Sequence, residues 1–500
     1  MKQHILHIIL LLCLSFSSYA QLTVTDLHYR NDTLKEKFIL DSKFHNSVRP
    51  YIIFKESNHP TSKLTLTNSK SAKKQLKAYP IANLSLGYDS DKNATYDLGV
   101  GAGVNLSGKS FYLSFKYLPT YSKNNQFYDS IINTTFIYPG KGQKMLDNMY
   151  QNIDIVGALK LNTFFTLLGG HSKNFFGNGY RSLLQSDNSS SNPFLKIETS
   201  FSSIKYVNLF QVLKDIYQIP NQDAANAIKY SASHYLSWNI TKSFNVSIFE
   251  TVILQGKDSL TDRGFDINYL NPFVFYRPVE YSIGSSDNIL LGLNMSLKTR
   301  QQHLFYAQLI LDDFSLTEIK TGNNWWANKY GIQFGIKAND FIKKNLYVQA
   351  EYNFVRPFTY SHGNTGQNYG QMNQAIAHPI GANFHEVLSI VSFNSKQHYF
   401  TNKTTFAVYG IDTSAVNYGQ NIFISYDNRA SEYGHITGQG LKTTVFTNQF
   451  IYEYPLFPDI NLYAFARYNY RLQYNSIATQ HNHSIQIGIK SRIWNNYSDY

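Results

Sequence analysis

The 500-residue chain carries 45 Lys and Arg against 33 Asp and Glu, a formal charge of +12, yet charged residues make up only 16% and aromatics another 16%, with 39 Tyr and 35 Phe. A basic balance of this size suits nucleic acid, but the densest basic run, "SKSAKKQLK", forms no stripe or basic helix, so no nucleic-acid partner is expected. One cysteine, Cys13, stands near the N-terminus, which leaves the exported chain without a disulfide framework or a cysteine metal site.

In chain order, residues 1–20 read as a signal peptide. Lys2 precedes the apolar run "ILHIILLLCLSF", and "SYA" before Gln21 supplies small residues for cleavage after Ala20. Cys13 follows Leu12, where a lipoprotein site wants a small residue. Beyond residue 20 no apolar run reaches the roughly 18 residues of a membrane helix, so a membrane-crossing chain must cross with strands. Residues 21–78 are polar and Lys-rich with weak periodicity, which fits a small periplasmic segment, either a cap or plug or a flexible export linker.

From residue 79 to 500 the period changes to two. In "NLYVQAEYNFV", Leu346, Val348, Ala350, Tyr352 and Phe354 alternate with Tyr347, Gln349, Glu351 and Asn353, one apolar face against one suited to a wet lumen. The pattern recurs in "YGIQFGIKA" and in "SIQIGIKSRIW", where Ile485, Ile487, Ile489 and Ile493 take the apolar side. About nineteen such segments lie between residues 79 and 494, and the even-number rule for single-chain outer-membrane barrels favours about eighteen strands. The expected fold is all-β, a transmembrane antiparallel barrel. Tyr and Phe gather at segment ends, as in "SFKYLPTY" and "FIYEYPLF", where two aromatic girdles would sit.

"FFGNGYRSLLQSDNSSSNPF", Phe175 to Phe194, breaks this rhythm. Phe175 and Phe176 are expected to end a strand at the membrane interface. Gly177 and Gly179 would allow a sharp turn or a close approach, and Ser186 to Asn192 would fold across the lumen as a constriction before Pro193 restarts the wall. An arginine in a barrel wall is costly toward lipid, so Arg181, Arg277 and Arg356 should face inward or lie in loops. Asp187, Glu280 and Asp287 are plausible partners in an internal polar network.

The segments Gly264–Leu297, Asp312–Lys337 and Tyr352–Glu386, together with "GHSKNFFGNGYRSLLQSDNSSSNPF", resemble the Wzi-type capsule assembly family of outer-membrane barrels, and more closely its branch of gliding motility protein RemB. The resemblance covers most of the mature chain and is densest over residues 170–386. It implies an eighteen-stranded barrel with a periplasmic N-terminal element, acting as a lectin-like anchor for surface or capsular polysaccharide. For the gliding branch it implies a mobile surface component. Export or gliding machinery and outer-membrane lipid would be the other partners. The N-terminal segment departs from the family in its weak helical signal.

Sugar recognition needs exposed rings beside amides. Trp325 and Trp326 with Asn323, Asn324 and Asn328 have that combination, as do Tyr360, His362, Asn364, Asn368 and Tyr369; the tryptophans would equally serve as interfacial anchors. No catalytic constellation emerges. Asp312 and Asp313 are adjacent and on a strand would point to opposite faces, and no G-x-S-x-G elbow exists. "DSDKNATYD", Asp89 to Asp97, opens like a calcium loop but lacks its glycine and distal Glu, and reads as a hairpin turn. Neither metal nor cofactor is expected. A diffusion channel and an outer-membrane hydrolase stand as the alternatives to a non-enzymatic binder.

Overall fold

The computed structural model describes residues 44–50, 75–91, 93–123, 137–138, 142–217, 225–256, 264–272, 287–301, 303–413, 416–494 and 497. Eighteen wall strands are present among them. The first six are β1 (Gln75–Asp89), β2 (Ala94–Ser107), β3 (Phe111–Lys123), β4 (Met149–Lys160), β5 (Phe165–Ser172) and β6 (Asn192–Phe201). Six more follow as β7 (Ile204–Tyr217), β8 (Ala225–Asn239), β9 (Phe244–Gln255), β10 (Asn288–Lys298), β11 (His303–Leu311) and β12 (Tyr330–Ala338). The last are β13 (Leu346–Val355), β14 (Phe384–Ser395), β15 (His398–Ile411), β16 (Leu441–Phe457), β17 (Leu462–Tyr474) and β18 (Thr479–Ser491). Each strand pairs antiparallel with its sequence neighbours, and β1 also pairs with β18, Asn83 opposite Lys490, which closes the barrel and leaves no free edge. No helix among the described residues is long and apolar enough to cross a membrane.

The connections are asymmetric. At one end, where β1 starts and β18 stops, the turns are short, such as 202–203 and 396–397; at the other lie long connections including 173–191, 312–329, 356–383 and 412–440. Short periplasmic turns and long extracellular loops are the pattern of outer-membrane barrels, so the ends can be assigned on that rule.

The period-two reading holds along the strands. On β13, Tyr347, Gln349, Glu351 and Asn353 are buried while Ala350 and Tyr352 are exposed; on β12, Gln333 and Lys337 point in and Phe334 points out. Ile485 and Ile487 are exposed on β18 as expected. Ile493 is not: the ladder ends at Ser491, so the chain turns in and Ile493 packs with Ile81 and Leu118. Exposed Phe164, Phe165, Phe201 and Trp238 rim the short-turn end. Outward Tyr–His pairs, Tyr352–His385 at 2.8 Å and Tyr468–His483 at 2.7 Å, rim the other, the amphipathic placement expected of girdles. Asp89 caps the turn into β2 by accepting from the backbone of Asp91 and Asn93, as the hairpin reading required.

The apolar core of this protein lies inside the barrel. Inward wall faces are polar and paired, as in Lys116–Asp154 at 3.3 Å and Lys229–Asp215 at 2.8 Å, whereas Val48, Phe176, Leu183, Leu184, Tyr235, Phe249, Tyr360 and Tyr369 cluster in the lumen. The chain thereby buries apolar side chains where a porin would hold water.

Candidate functional site

The connection between β5 and β6 turns inward and fills the lumen. Phe175 and Phe176 do not end a strand at the lipid interface. They pair with Arg49 and Val48 of the N-terminal segment, and Phe176 stacks on Tyr235 at 4.6 Å. A loop buried inside a barrel must satisfy its backbone from the surrounding wall. Here the amides of Tyr180 and Arg181 donate to the two oxygens of Glu351 at 2.7 and 3.1 Å, and the amide of Leu183 donates to Gln308 at 2.9 Å. The carbonyl of Arg181 accepts from Gln333 at 3.2 Å. Those of Leu183 and Leu184 accept the hydroxyls of Tyr360 and Tyr369, each at 2.8 Å. The glycines permit this closeness: a Cβ at Gly177 would stand 2.1 Å from the Gln308 amide nitrogen, and its φ of +129° is one that L side chains rarely adopt.

Arg181 is fully buried and pairs with Glu386 through Nη2 at 3.1 Å. The same carboxylate accepts from His378 Nε2 at 2.8 Å and Asn353 at 3.0 Å. The expected partner Asp187 is elsewhere: it accepts from the hydroxyl of the buried Tyr497, and its carbonyl accepts from Lys173 at 2.8 Å. Asp287 accepts from the hydroxyl of Tyr269 at 2.9 Å and from Gln367 at 3.1 Å. Arg277 and Glu280 lie outside the described residues. Among the described members, Arg181 pairs with Glu386, and Arg356 lies among the outer loops.

Arg356 organises the extracellular loops. Its guanidinium donates to the carbonyls of Asn328 at 2.8 Å, Trp325 at 3.2 Å and His435 at 3.3 Å, tying the 312–329 loop to the 412–440 loop. Backbone bonds continue the seam, from Trp326 to Glu432 at 3.0 Å and from Gly434 to Asn323 at 2.9 Å. On it Trp326 meets Tyr426 at 4.7 Å and Trp325 at 6.2 Å, Arg429 lies 4.1 Å from the Trp326 ring, and the Trp326 indole donates to Glu432 at 2.8 Å. Both tryptophans are half-buried and Tyr433 is exposed. His362 sets its ring edge to Tyr426 at 5.7 Å.

Beneath the seam, Lys329 is buried 2.8 Å from both Asp312 and Asp313. Burial pushes the Asp312 carboxyl up to about 6 against the pull of Lys329. Burial works against the Lys329 cation as well, but the two aspartates hold it above its ordinary range. Both carboxylates thus serve one lysine, an anchoring arrangement rather than an acid–base pair across a bond.

Of the residues put forward for sugar contact, Trp325, Trp326 and His362 meet at this outer seam. Tyr360, Tyr369 and Asn368 do not: they are buried, the tyrosines holding the lumen loop and Asn368 accepting from Lys229 at 2.7 Å. Asn328 is also buried, accepting from the amide of Ser315 at 2.8 Å. Tyr426, Arg429 and Glu432 were missed. Their signal is the i, i+3 pair Arg429–Glu432 in the turn-rich run "YDNRASEYGHITGQG", next to a tyrosine.

No family model matches this chain, and no curated protein does. Among solved structures it is similar to Wzi of Escherichia coli, an outer-membrane protein involved in group 1 capsule assembly and described as a carbohydrate-binding β-barrel. Identity is 13%, coverage 92% of this chain and 96% of that one, and the TM-score 0.56. OccK8 (OprE) and OprD of Pseudomonas aeruginosa also match, at 7% and 8% identity over 83% of this chain and 97% and 94% of theirs, with TM-scores of 0.44 and 0.45. The likeness to Wzi is one of fold.

Proposed function

We propose that this chain is a non-enzymatic outer-membrane barrel that binds and anchors surface or capsular polysaccharide on its extracellular loops, after export through its N-terminal signal peptide. The reading rests on one observation above all: the lumen is filled by a loop hydrogen-bonded to the wall, while the aromatic seam of Trp325, Trp326 and Tyr426 is built on the outer loops. Half-buried rings beside a carboxylate and a guanidinium offer a sugar both an apolar face and hydroxyl partners. The similar Escherichia coli barrel is described as carbohydrate binding, which agrees with this reading. The role in the cell is attachment of capsule or service as a surface component of gliding, with export or gliding machinery as the protein partner. A filled lumen disfavours the diffusion-channel alternative.

The test is retention of native cell-surface polysaccharide by the purified full-length barrel, compared with Trp325→Ala. A half-buried aromatic anchor of this kind is worth about 2 kcal/mol or more, so retention should fall by roughly tenfold or more. Undiminished retention by a correctly assembled variant would remove the seam from the binding site, and failure of the wild type to retain any polysaccharide would end the reading.

A further inference from the structure

Outward wall positions on β8 to β10 divide into two sets. Tyr235, Phe249, Ile253 and Leu290 belong to the luminal core, so the alternate positions on those strands face away from the lumen. Ile228, Ile248 and Leu291 are such positions and are exposed. Ala232, His234, Glu250, Val252, Leu254 and Ile289 are such positions too, yet all are buried. Their cover is residues 264–272, from the connection between β9 and β10. Tyr269 of that segment packs on Ala232, Val252, Leu254 and Ile289, and Phe265 sets its ring edge against Phe210 and Tyr230 at 6.0 and 5.7 Å.

The end of the segment nearer the short turns is latched to the wall. His234 Nε2 donates to the carbonyl of Asn271 at 3.1 Å and the Tyr206 hydroxyl donates to that of Pro272, while Glu250 lies 3.6 Å from His234 Nδ1. His234 and Glu250 stand near the middle of β8 and β9, a depth at which such side chains turned to lipid are costly, and the segment takes them out of its reach. Its own backbone is equally provided for: the amides of Asn268, Tyr269 and Asn271 donate to Asp266 Oδ1, the Asp266 carbonyl and the Asn268 carbonyl at 3.0, 3.1 and 3.3 Å. Irregular chain at membrane depth persists only with its polar groups satisfied in this way. Turned outward are Ile267 and Leu270, 73% and 52% exposed, and Asn268, whose side-chain amide folds back onto Asp266 at 2.9 Å.

We propose that residues 264–272 form an intramembrane strap on the outside of the barrel, latched by Tyr206 and His234, and that Ile267 and Leu270 are a contact surface for lipid acyl chains in place of the wall beneath. The surface adjoins the exposed apolar belt of β9 and β10: Leu291 is registered opposite Glu250, and Ile248 lies on the same strand face as Glu250. The strap carries that belt across a stretch of wall whose own outward side chains include a polar pair.

Cys13 is the single cysteine of the chain, so Cys13→Ser gives a background in which one introduced cysteine carries one fluorophore. Ile267→Cys is labelled in the full chain and reconstituted into phosphatidylcholine vesicles, with Leu291→Cys on the wall and Ile436→Cys on the outer loops, both exposed positions, as references. Variants are taken forward only if they show the heat-dependent gel shift of a folded barrel. Lipid spin-labelled on its acyl chain should quench the label at position 267 as strongly as that at 291, and aqueous iodide should quench only the label at 436. Quenching at 267 by iodide and not by lipid puts the segment in water and overturns the strap. Quenching at 267 by neither means that a second copy of the chain covers it, and overturns lipid as the occupant. Tyr206→Phe and His234→Leu each remove one bond to the strap, so hydrogen exchange at the amides of Tyr269 and Asn271 should quicken by roughly fivefold in each. Unchanged exchange in both variants overturns the latch.

Discussion

At the scale of single residues, position in the sequence predicted direction better than partner. Arg181 points inward, as the cost of an arginine facing lipid requires, but its carboxylate is Glu386 rather than the nearby Asp187. Asp312 leads to a prediction of sign. In the folded loop its carboxyl keeps its proton up to about 6, because burial outweighs the attraction of Lys329. An unfolded aspartate loses its proton near about 3.9. The folded form therefore binds the proton more tightly, and anchorage of the loop is strongest below about pH 4 and weakens as pH rises through about 6. Indole fluorescence of the loop tryptophans, followed from acid to mildly alkaline pH, should report that loosening, and Asp312→Asn should flatten the profile. A variant with the wild-type profile would assign the titration to another group.

At the scale of elements, the inward loop is held where glycine alone fits. Gly177→Ala must adopt a backbone angle that side chains avoid and displace Gln308 from its bonds to the carbonyl of Phe176 at 3.2 Å and to Asn294 at 3.2 Å. A cost of about 2–4 kcal/mol is expected from strain plus the lost buried hydrogen bonds. The control is Gly434, which also has positive φ, +85°, but nothing within 4 Å of a Cβ. Gly434→Ala should cost only about 1 kcal/mol. The temperature at which the folded gel band disappears should therefore drop markedly for Gly177→Ala and little for Gly434→Ala. Equal shifts would mean that strain, not packing against Gln308, governs the site.

At the scale of the whole molecule, the barrel wall and its filling are separable. The wild type should show no ion conductance in planar bilayers, since the lumen loop is bonded to β11, β12 and β13 at once. Arg181→Ala leaves Glu386 buried without its guanidinium, a loss of about 3–5 kcal/mol by the usual cost of breaking a buried pair, and should open measurable conductance while the wall still assembles. Arg181→Met with Glu386→Leu removes both charges and should close the pore again. Persistent conductance in the double variant would point to packing volume rather than charge.

What the sequence by itself determined is the wall: alternation with a period of two assigns β12 and β13 their lipid and lumen faces because that geometry is local to each strand. It also exposed the break at Phe175 to Phe194, since two glycines and a polar run cannot continue such a strand. Only the tertiary structure decided what that break contacts. Tyr360 and Tyr369 looked like surface sugar residues and proved to be struts for Leu183 and Leu184, while Tyr426, Arg429 and Glu432 joined the outer seam from a loop about a hundred residues beyond the tryptophans. Closing eighteen strands places distant residues across one lumen, and the choice among partners there follows from which side chains the closed wall brings within hydrogen-bond reach, a quantity no short stretch of sequence contains.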